Sequence, residues 1–326
     1  MKAVLVDKFG GSENLRIGEW PTPEPGENEI LVSIAATALN RADILQREGR
    51  YPPPKGASPI LGLEYSGRVA KVGAKVSRWE VGDEVCGLLA GGGYAEYVTV
   101  HENLAMSVPQ GIDLVQAAAI PEVFLTAFQA LDWLAGLNAG EKVLIHAGAS
   151  GVGTAAIQIA REKGAEIFVT ASAGKHDICK ELGATHTIDY KTESFAKVIA
   201  DITNGEGVNV IIDFISGPYF DANLASLALE GRMIMLAFLG SPKVESANLG
   251  PILRKRLTII GSTLRARTQK YKVKLTRDLN EFAWAKFADG TLKPVIDSIY
   301  NWEEVAKAHD YMEANKNSGK VLLRVH

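Results

Sequence analysis

Along the first third of the chain the apolar positions fall in short β-branched runs. Examples are Ile30-Leu31-Val32-Ser33-Ile34, Gly67-Arg68-Val69-Ala70-Lys71-Val72 and Tyr97-Val98-Thr99-Val100. Turn formers separate them: the stretch from Pro21 to Gly26, Pro52-Pro53-Pro54, Gly82-Asp83 and Gly91-Gly92-Gly93. Short strands broken by frequent turns predict a compact β-rich unit or partial barrel. The pattern changes around Gln116-Ala117-Ala118-Ala119-Ile120-Pro121, and over residues 122–134 apolar side chains recur at helical spacing, which puts a domain boundary near residue 122. Beyond it, predicted strands at 142–147, 166–170, 186–188, 209–214, 233–238 and 257–261 alternate with helices that include 151–163 and 175–182. Such alternation predicts a parallel sheet with right-handed crossovers, and its strands are apolar throughout, as burial on both faces requires.

The tail reads as a long amphipathic helix at 270–288, Gly290, Pro294, a helix at 303–313 and a last strand at 320–324. Nothing after that strand can serve as its crossover, so it is expected to rejoin the β-rich unit. The expected fold class is therefore α/β, with a doubly wound Rossmann sheet over 123–265 and a discontinuous β-rich catalytic domain over 1–122 and 266–326.

Composition narrows the function classes. Hydrophobic residues are 47% of the 326, charged residues 22%, and the formal net charge is −3. Disorder and electrostatic recruitment to nucleic acid or anionic lipid are poor explanations of such a chain. The cysteines, Cys86 and Cys179, number two, too few for a disulfide framework or a four-thiolate zinc site, and neither has the neighbours of a nucleophile. The start Met1-Lys2-Ala3-Val4-Leu5-Val6-Asp7 has neither the apolar core of a secretory signal nor an Arg-rich face, and no run of about 18 uninterrupted apolar residues occurs. A reducing, cytoplasmic setting is the expectation.

The most informative local motif is Val143-Leu144-Ile145-His146-Ala147-Gly148-Ala149-Ser150-Gly151-Val152-Gly153, a buried strand, a tight turn and a helix start in one βαβ unit. Dinucleotide binding needs a turn that presents helix N-terminal amides to pyrophosphate with no side chain in the way. Gly148 and Gly153 hold the first and third glycine positions. Ser150 stands in the second, followed directly by Gly151, and its hydroxyl can donate to a phosphate. A purely structural turn is the competing reading. After the next strand an acid would grip the 2′-hydroxyl of NADH, but the chain runs Ala171-Ser172-Ala173-Gly174-Lys175. Ser172 and Lys175 suit a 2′-phosphate and favour NADPH, unless Lys175 is only a solvated residue of a helix's first turn. Tyr190 lies where a ring can cover the adenine or sit in an ordinary loop. None of the six histidines has the spacing of a metal pair, and His146 reads as structural.

The glycine turn, Gly62-Leu63-Glu64, Gly82-Asp83-Glu84-Val85 and the domain order resemble the medium-chain dehydrogenase/reductase superfamily over essentially the whole chain. Asn40-Arg41-Ala42-Asp43, Gly49-Arg50-Tyr51-Pro52-Pro53-Pro54 and Gly261-Ser262-Thr263-Leu264-Arg265-Ala266-Arg267 are most similar to its zeta-crystallin-like quinone oxidoreductases. The resemblance implies a GroES-like partial barrel for the β-rich domain. Zinc-dependent members carry a Cys where this chain has Asn40 and a His where it has Leu63, so no metal is expected. It implies that Asn40, Asp43 and Tyr51 form the catalytic set, with Asp43 either acting there or only capping a helix. Asn40 and Tyr51 also line the nicotinamide site, together with Thr126, Phe238, Leu239, Gly240, Leu264 and Arg265, and Asn317 is another cofactor contact.

The implied activity is zinc-independent NADPH:quinone oxidoreduction by a homodimer or higher oligomer, with residues 257–261 as a pairing edge. Reduction of an enoyl thioester or 2-alkenal is the alternative, since related enoyl reductases use a tyrosine in the Tyr51 segment as proton donor. A nucleic-acid-binding role for the nine basic residues from Arg254 to Arg277 is a third class.

Overall fold

In the computed structural model, which describes Met1–His326, the longest strand is β3 (Glu29–Ala38). Its alternating Ile30, Val32 and Ile34 are all fully buried, the period-two pattern of a strand with one face in a core. One edge of β3 pairs with β4 (Glu64–Val72). The other edge is shared, first by β6 (Tyr97–His101) and then by β15 (Lys320–Arg324). Beyond these lie β5 (Glu84–Leu88) and β7 (Ala105–Ser107) on one side and β14 (Ile296–Asn301) on the other, with a separate hairpin of β1 (Lys2–Val6) and β2 (Leu15–Glu19). The last strand of the chain thus returns to the sheet of the first domain, pairing antiparallel with β3.

Helices α1 (Arg41–Arg47), α2 (Leu114–Ala117), α9 (Gln269–Ala288) and α10 (Val305–Glu313) belong to this unit, which comprises residues 1–125 and 264–326. Its main core joins Ile30, Val32, Ile34, Leu39, Tyr65 and Tyr94 to Val305, Met312 and Leu323. The chain therefore re-enters the β-rich unit at Leu264, two residues earlier than its sequence suggests.

The second unit, residues 126–263, is built on a six-stranded sheet in the order β10-β9-β8-β11-β12-β13. These strands are β8 (Lys142–Ile145), β9 (Glu166–Ala171), β10 (His186–Asp189), β11 (Val208–Asp213), β12 (Leu227–Met235) and β13 (Thr258–Gly261). All neighbouring pairs are parallel. Val143, Leu144 and Ile145 of the central strand are each 0% exposed, which is why the strand reads as continuously apolar rather than alternating. β13 closes one edge of the sheet. The predicted strand at 233–238 is displaced: pairing with β13 ends at Met235↔Gly261, and Phe238 and Leu239 lie on an exposed loop.

Helix α3 (Pro121–Phe128) opens on a proline, whose missing N–H has no intrahelical partner to lose there. It continues as a wider π-helical turn through Leu134. The segment Leu114–Leu134 has a mean hydropathy of 1.5, and 72% of its apolar window is buried within the protein, as in a core helix. Both cysteines are buried and unpaired with each other. Burial pushes the Cys179 thiol up to about 11 and Cys86 higher still, so both are small hydrophobes rather than nucleophiles.

Candidate active site

The loop after β3 is held by a buried polar lattice. Asp43, at the third position of α1, accepts hydrogen bonds from the Asn40 N–H (2.8 Å) and the Gly62 N–H (3.0 Å). The Tyr94 hydroxyl donates at 3.3 Å to Oδ2, the oxygen that also accepts from Asn40. Asp43 is 1% exposed. Burial raises its carboxyl to about 6, against the two backbone N–H groups and the charges of Lys320 and Arg265. Of the two roles open to Asp43, its contacts are those of a helix cap.

Behind Tyr94 lies His309, whose Nδ1 is 3.2 Å from Arg47 Nη1. A guanidinium only donates, so Nδ1 accepts, and Nε2 carries the proton that faces the Tyr94 oxygen at 3.3 Å. Burial, then the Arg47 charge, pushes His309 down to about 3. The unfolded chain protonates first as pH falls, so stability from the neutral ring is present above about pH 6.5 and is lost toward pH 3. Urea unfolding should show wild type losing about 2 kcal/mol relative to His309→Gln between pH 7 and pH 5; parallel pH profiles would show that His309 is not held neutral.

Asn40 faces the other way. Its Nδ2 donates to Glu64 Oε1 (2.9 Å) and its Oδ1 accepts from Lys320 Nζ (2.8 Å). Lys320 also donates to the Leu39 carbonyl (2.7 Å) and pairs with Glu64 Oε1 (2.8 Å). The remaining Glu64 oxygen accepts the Glu122 N–H at 2.8 Å. Glu64 and Lys320 are 0% and 2% exposed, so this ion pair is enclosed.

Tyr51 and Arg265 form the next layer. Arg265 donates to the Ala90 carbonyl (2.8 Å) and Gln46 Oε1 (2.6 Å), and its guanidinium lies 5.3 Å from the Tyr51 ring centroid. Leu264 and Arg265 thus pack within the β-rich unit, not on the cofactor side expected of them. Partial burial, and secondarily Glu122, raise the Tyr51 phenol, while Arg265 lowers it; the net effect keeps it a proton-bearing group. Asn317 donates to the Gly319 carbonyl at 2.8 Å, bracing the turn into β15.

The second unit places most of the other predicted residues at the carboxyl ends of its strands. Ser150 caps α4 (Gly151–Glu162), its Oγ accepting the Gly153 N–H at 3.1 Å. A Cβ on Gly153 would lie 2.4 Å from the Ala147 carbonyl oxygen, and one on Gly148 2.8 Å from Val169 Cβ, so neither site admits a side chain. Ala147 is held in the left-handed region, φ 49°, a strained conformation concentrated at the turn. By helix geometry the first N–H groups, those of Gly151 and Val152, have no carbonyl to meet. They leave an anion cradle at the carboxyl ends of the strands, beside the β8/β11 switch point.

Ser172 and Lys175 follow β9, Tyr190 follows β10, and Phe238-Leu239-Gly240 follows β12, all beyond the carboxyl ends of their strands. Tyr190 is 47% exposed. The Thr126 hydroxyl is buried without a hydrogen-bond partner. His146 lies just beneath, bonded to Thr170 Oγ1 (2.9 Å) and Asn223 Oδ1 (2.8 Å), in the structural place its sequence suggests.

Residues 151–279 match the zinc-binding dehydrogenase family and residues 26–110 the alcohol dehydrogenase GroES-like domain. The CurK enoyl reductase crystal structure is 32% identical with a TM-score of 0.88, covering 99% of this chain and 98% of its own. The chain belongs to the medium-chain dehydrogenase/reductase superfamily. Within that superfamily it is also similar to a Pseudomonas syringae pv. Tomato quinone oxidoreductase, 30% identical with TM-score 0.87 over 99% of each chain. A mycocerosic acid synthase-like polyketide synthase of Mycolicibacterium smegmatis is 34% identical over 99% of this chain, which spans 15% of that relative's length.

The zinc named by the superfamily's second domain does not fit the donors present. Asn40 and the buried Leu63 stand at the expected ligand positions, and no group of three or more His, Cys, Asp or Glu side chains is placed to share a metal ion. The Lys320 ammonium already brings a positive charge to Asn40 and Glu64. Lys320, Glu64 and Glu122 went unrecognised as site residues in the sequence. The one signal for Glu122 was a lone carboxylate opening an otherwise apolar helix.

Proposed function

We propose that this protein is a zinc-independent, NADPH-dependent reductase of quinones and related conjugated acceptors. The donor set around Asn40 carries that reading. With an amide, a leucine and a lysine ammonium in place of metal ligands, an alcohol would have no Lewis acid to stabilise its alkoxide. A quinone accepts hydride without one. Cys86 and Cys179, both buried thiols, are consistent with a reducing cytoplasmic location.

The second unit has the features a dinucleotide needs. Gly148, Ser150, Gly151, Val152 and Gly153 would hold the pyrophosphate, Ser172 and Lys175 the 2′-phosphate, Tyr190 the adenine, and the partnerless Thr126 hydroxyl offers a further donor. Bound NADPH supplies the hydride. The chain's own residues do the rest: Asn40, its amide locked by Ala38, Glu64 and Lys320, fixes the loop after β3, and Tyr51 under Arg265 presents an aromatic wall with a protonated hydroxyl.

A second reading, reduction of enoyl thioesters or 2-alkenals, is favoured by that Tyr51 hydroxyl, because saturating a C=C bond requires protonation at carbon. NADPH oxidation by chelator-treated protein with a quinone, a 2-enoyl thioester and a 2-alkenal separates the two. Quinone turnover is expected to survive Tyr51→Phe within about threefold, whereas enone turnover should fall about a hundredfold. Turnover with the thioester alone would overturn the quinone reading, and loss of quinone activity on chelation would overturn zinc independence.

A further inference from the structure

Three segments of the first unit meet at Asp43: the loop after β3 through the Asn40 N–H, the approach to β4 through the Gly62 N–H, and the Gly93-Tyr94 turn through the Tyr94 hydroxyl. Gly62 has φ 99°, and a Cβ there would lie 2.6 Å from Gly93 Cα, so only glycine lets the second and third segments touch. The first two segments carry Asn40 and Glu64, whose side chains bond each other at 2.9 Å. Asp43 therefore ties together the backbone that bears this pair. The direction of the hydrogen bonds behind Asp43 is fixed from the far end. The Arg47 guanidinium, 1% exposed and bonded to Glu313 Oε1 at 2.7 Å and to the Gly10 carbonyl at 2.9 Å, can only donate. His309 Nδ1 must accept from it, which leaves the single proton of the neutral ring on Nε2, facing the Tyr94 oxygen. With that oxygen accepting from His309, the Tyr94 hydroxyl proton has Asp43 Oδ2 as its one acceptor. Donors thus run one way, from Arg47 to His309 to Tyr94 to Asp43, and each bond polarises the next.

We propose that Tyr94 and His309 are positioning residues: His309, oriented by Arg47, aims the Tyr94 proton at Asp43, and Asp43 so held fixes the two segments that carry Asn40 and Glu64. The consequence for turnover rests on the reductase reading above, whereas the consequence for the Asn40 and Gly62 N–H groups does not. An imidazole is not itself required at position 309. What the chain needs there is an acceptor toward Arg47 and a donor toward Tyr94. A glutamine amide supplies both, on its oxygen and its nitrogen, and a leucine supplies neither. Phenylalanine at position 94 keeps the ring and deletes the last link.

The test is amide hydrogen exchange, resolved by NMR on the full chain, combined with quinone kinetics. Tyr94→Phe should speed exchange at Asn40 and Gly62 about tenfold or more, while Ile34 in β3, bonded to the Glu96 carbonyl, keeps its rate. His309→Leu should act in the same direction and His309→Gln should stay within about threefold of wild type. Because the residues act in series, Tyr94→Phe combined with His309→Leu should exchange no faster at these two amides than Tyr94→Phe alone. The kcat should follow the same order, falling about tenfold in Tyr94→Phe. Unchanged exchange in Tyr94→Phe, a His309→Gln variant that behaves like His309→Leu, or additive effects in the double variant would each overturn the positioning role. So would faster exchange with kcat at the wild-type value throughout, which would make the chain of bonds structural only. Absence of turnover by wild type with every acceptor overturns the reductase reading instead, and the exchange rates still decide whether Tyr94 and His309 hold the two segments.

Discussion

Replacing Lys320 by methionine is expected to cost about 3–5 kcal/mol of folding stability, the largest effect of any single substitution considered. Methionine fills the same volume, so packing is not what is lost. What remains is Glu64, 0% exposed with no cation beside it, together with the Leu39 carbonyl and Asn40 Oδ1 stripped of their donor. A second substitution identifies the cause. Glu64→Gln in the Lys320→Met background removes the stranded charge and should recover a large part of the loss. It should not recover all of it, because a neutral amide cannot accept from both Asn40 and the Glu122 N–H, as the carboxylate does. Urea unfolding of the four proteins completes the cycle. A single variant within 1 kcal/mol of wild type, or a double variant no more stable than the single, would show that Lys320 does not neutralise Glu64. The same experiment bears on function, since this pair holds the Asn40 amide in its orientation.

That ion pair was the part of the site least legible in the sequence, and the reason is physical. A glycine turn announces itself because strand, turn and helix N-terminus are consecutive; Gly148 to Gly153 could be read as one motif and lies at the strand ends where such a motif belongs. Lys320 meets Asn40 across 280 residues and Glu122 meets Glu64 across 58. Nothing local in Ser318-Gly319-Lys320-Val321 marks a buried cation, because lysine in a strand is ordinarily solvated. Asp43 is intermediate: its spacing from Asn40 indicated a cap, but the Tyr94 and His309 network behind it depends on tertiary contact.

The fold shows the same division. Period-two and continuously apolar runs located β3, β8 and β15. β12 was misplaced: it starts at Leu227 rather than 233, and its pairing is interrupted where Glu230 adopts a positive φ of 59°. Five of the nine basic residues from Arg254 to Arg277, suggestive as a sequence, go to private contacts: Arg256 with Glu230, Lys255 with the Ala225 and Leu227 carbonyls, Lys272 with the Arg265 carbonyl, and Lys274 and Arg277 with Asp278.

Lys175→Glu should lower the preference for NADPH over NADH on the order of 10³-fold in kcat/KM. A lysine facing a 2′-phosphate makes a charge-assisted contact with a group carrying nearly two negative charges; glutamate both removes that contact and adds a like charge. NADH, with a hydroxyl in place of the phosphate, loses neither. Position matters to how the result is read. Lys175 ends the short 3-10 turn Ala173–Lys175, where its N–H donates to the Ser172 carbonyl at 2.8 Å, and it immediately precedes α5 (His176–Leu182). An acid at a helix N-terminus interacts favourably with the helix dipole by about 0.3–1 kcal/mol, so the variant should melt no lower than wild type. Reduced NADPH use in a protein of undiminished Tm therefore locates the effect in the cofactor contact rather than in the fold. An unchanged ratio of the two cofactors would leave Lys175 as a solvated helix-start residue and would transfer the 2′-phosphate question to Ser172 alone, whose hydroxyl without a cation gives little reason for discrimination.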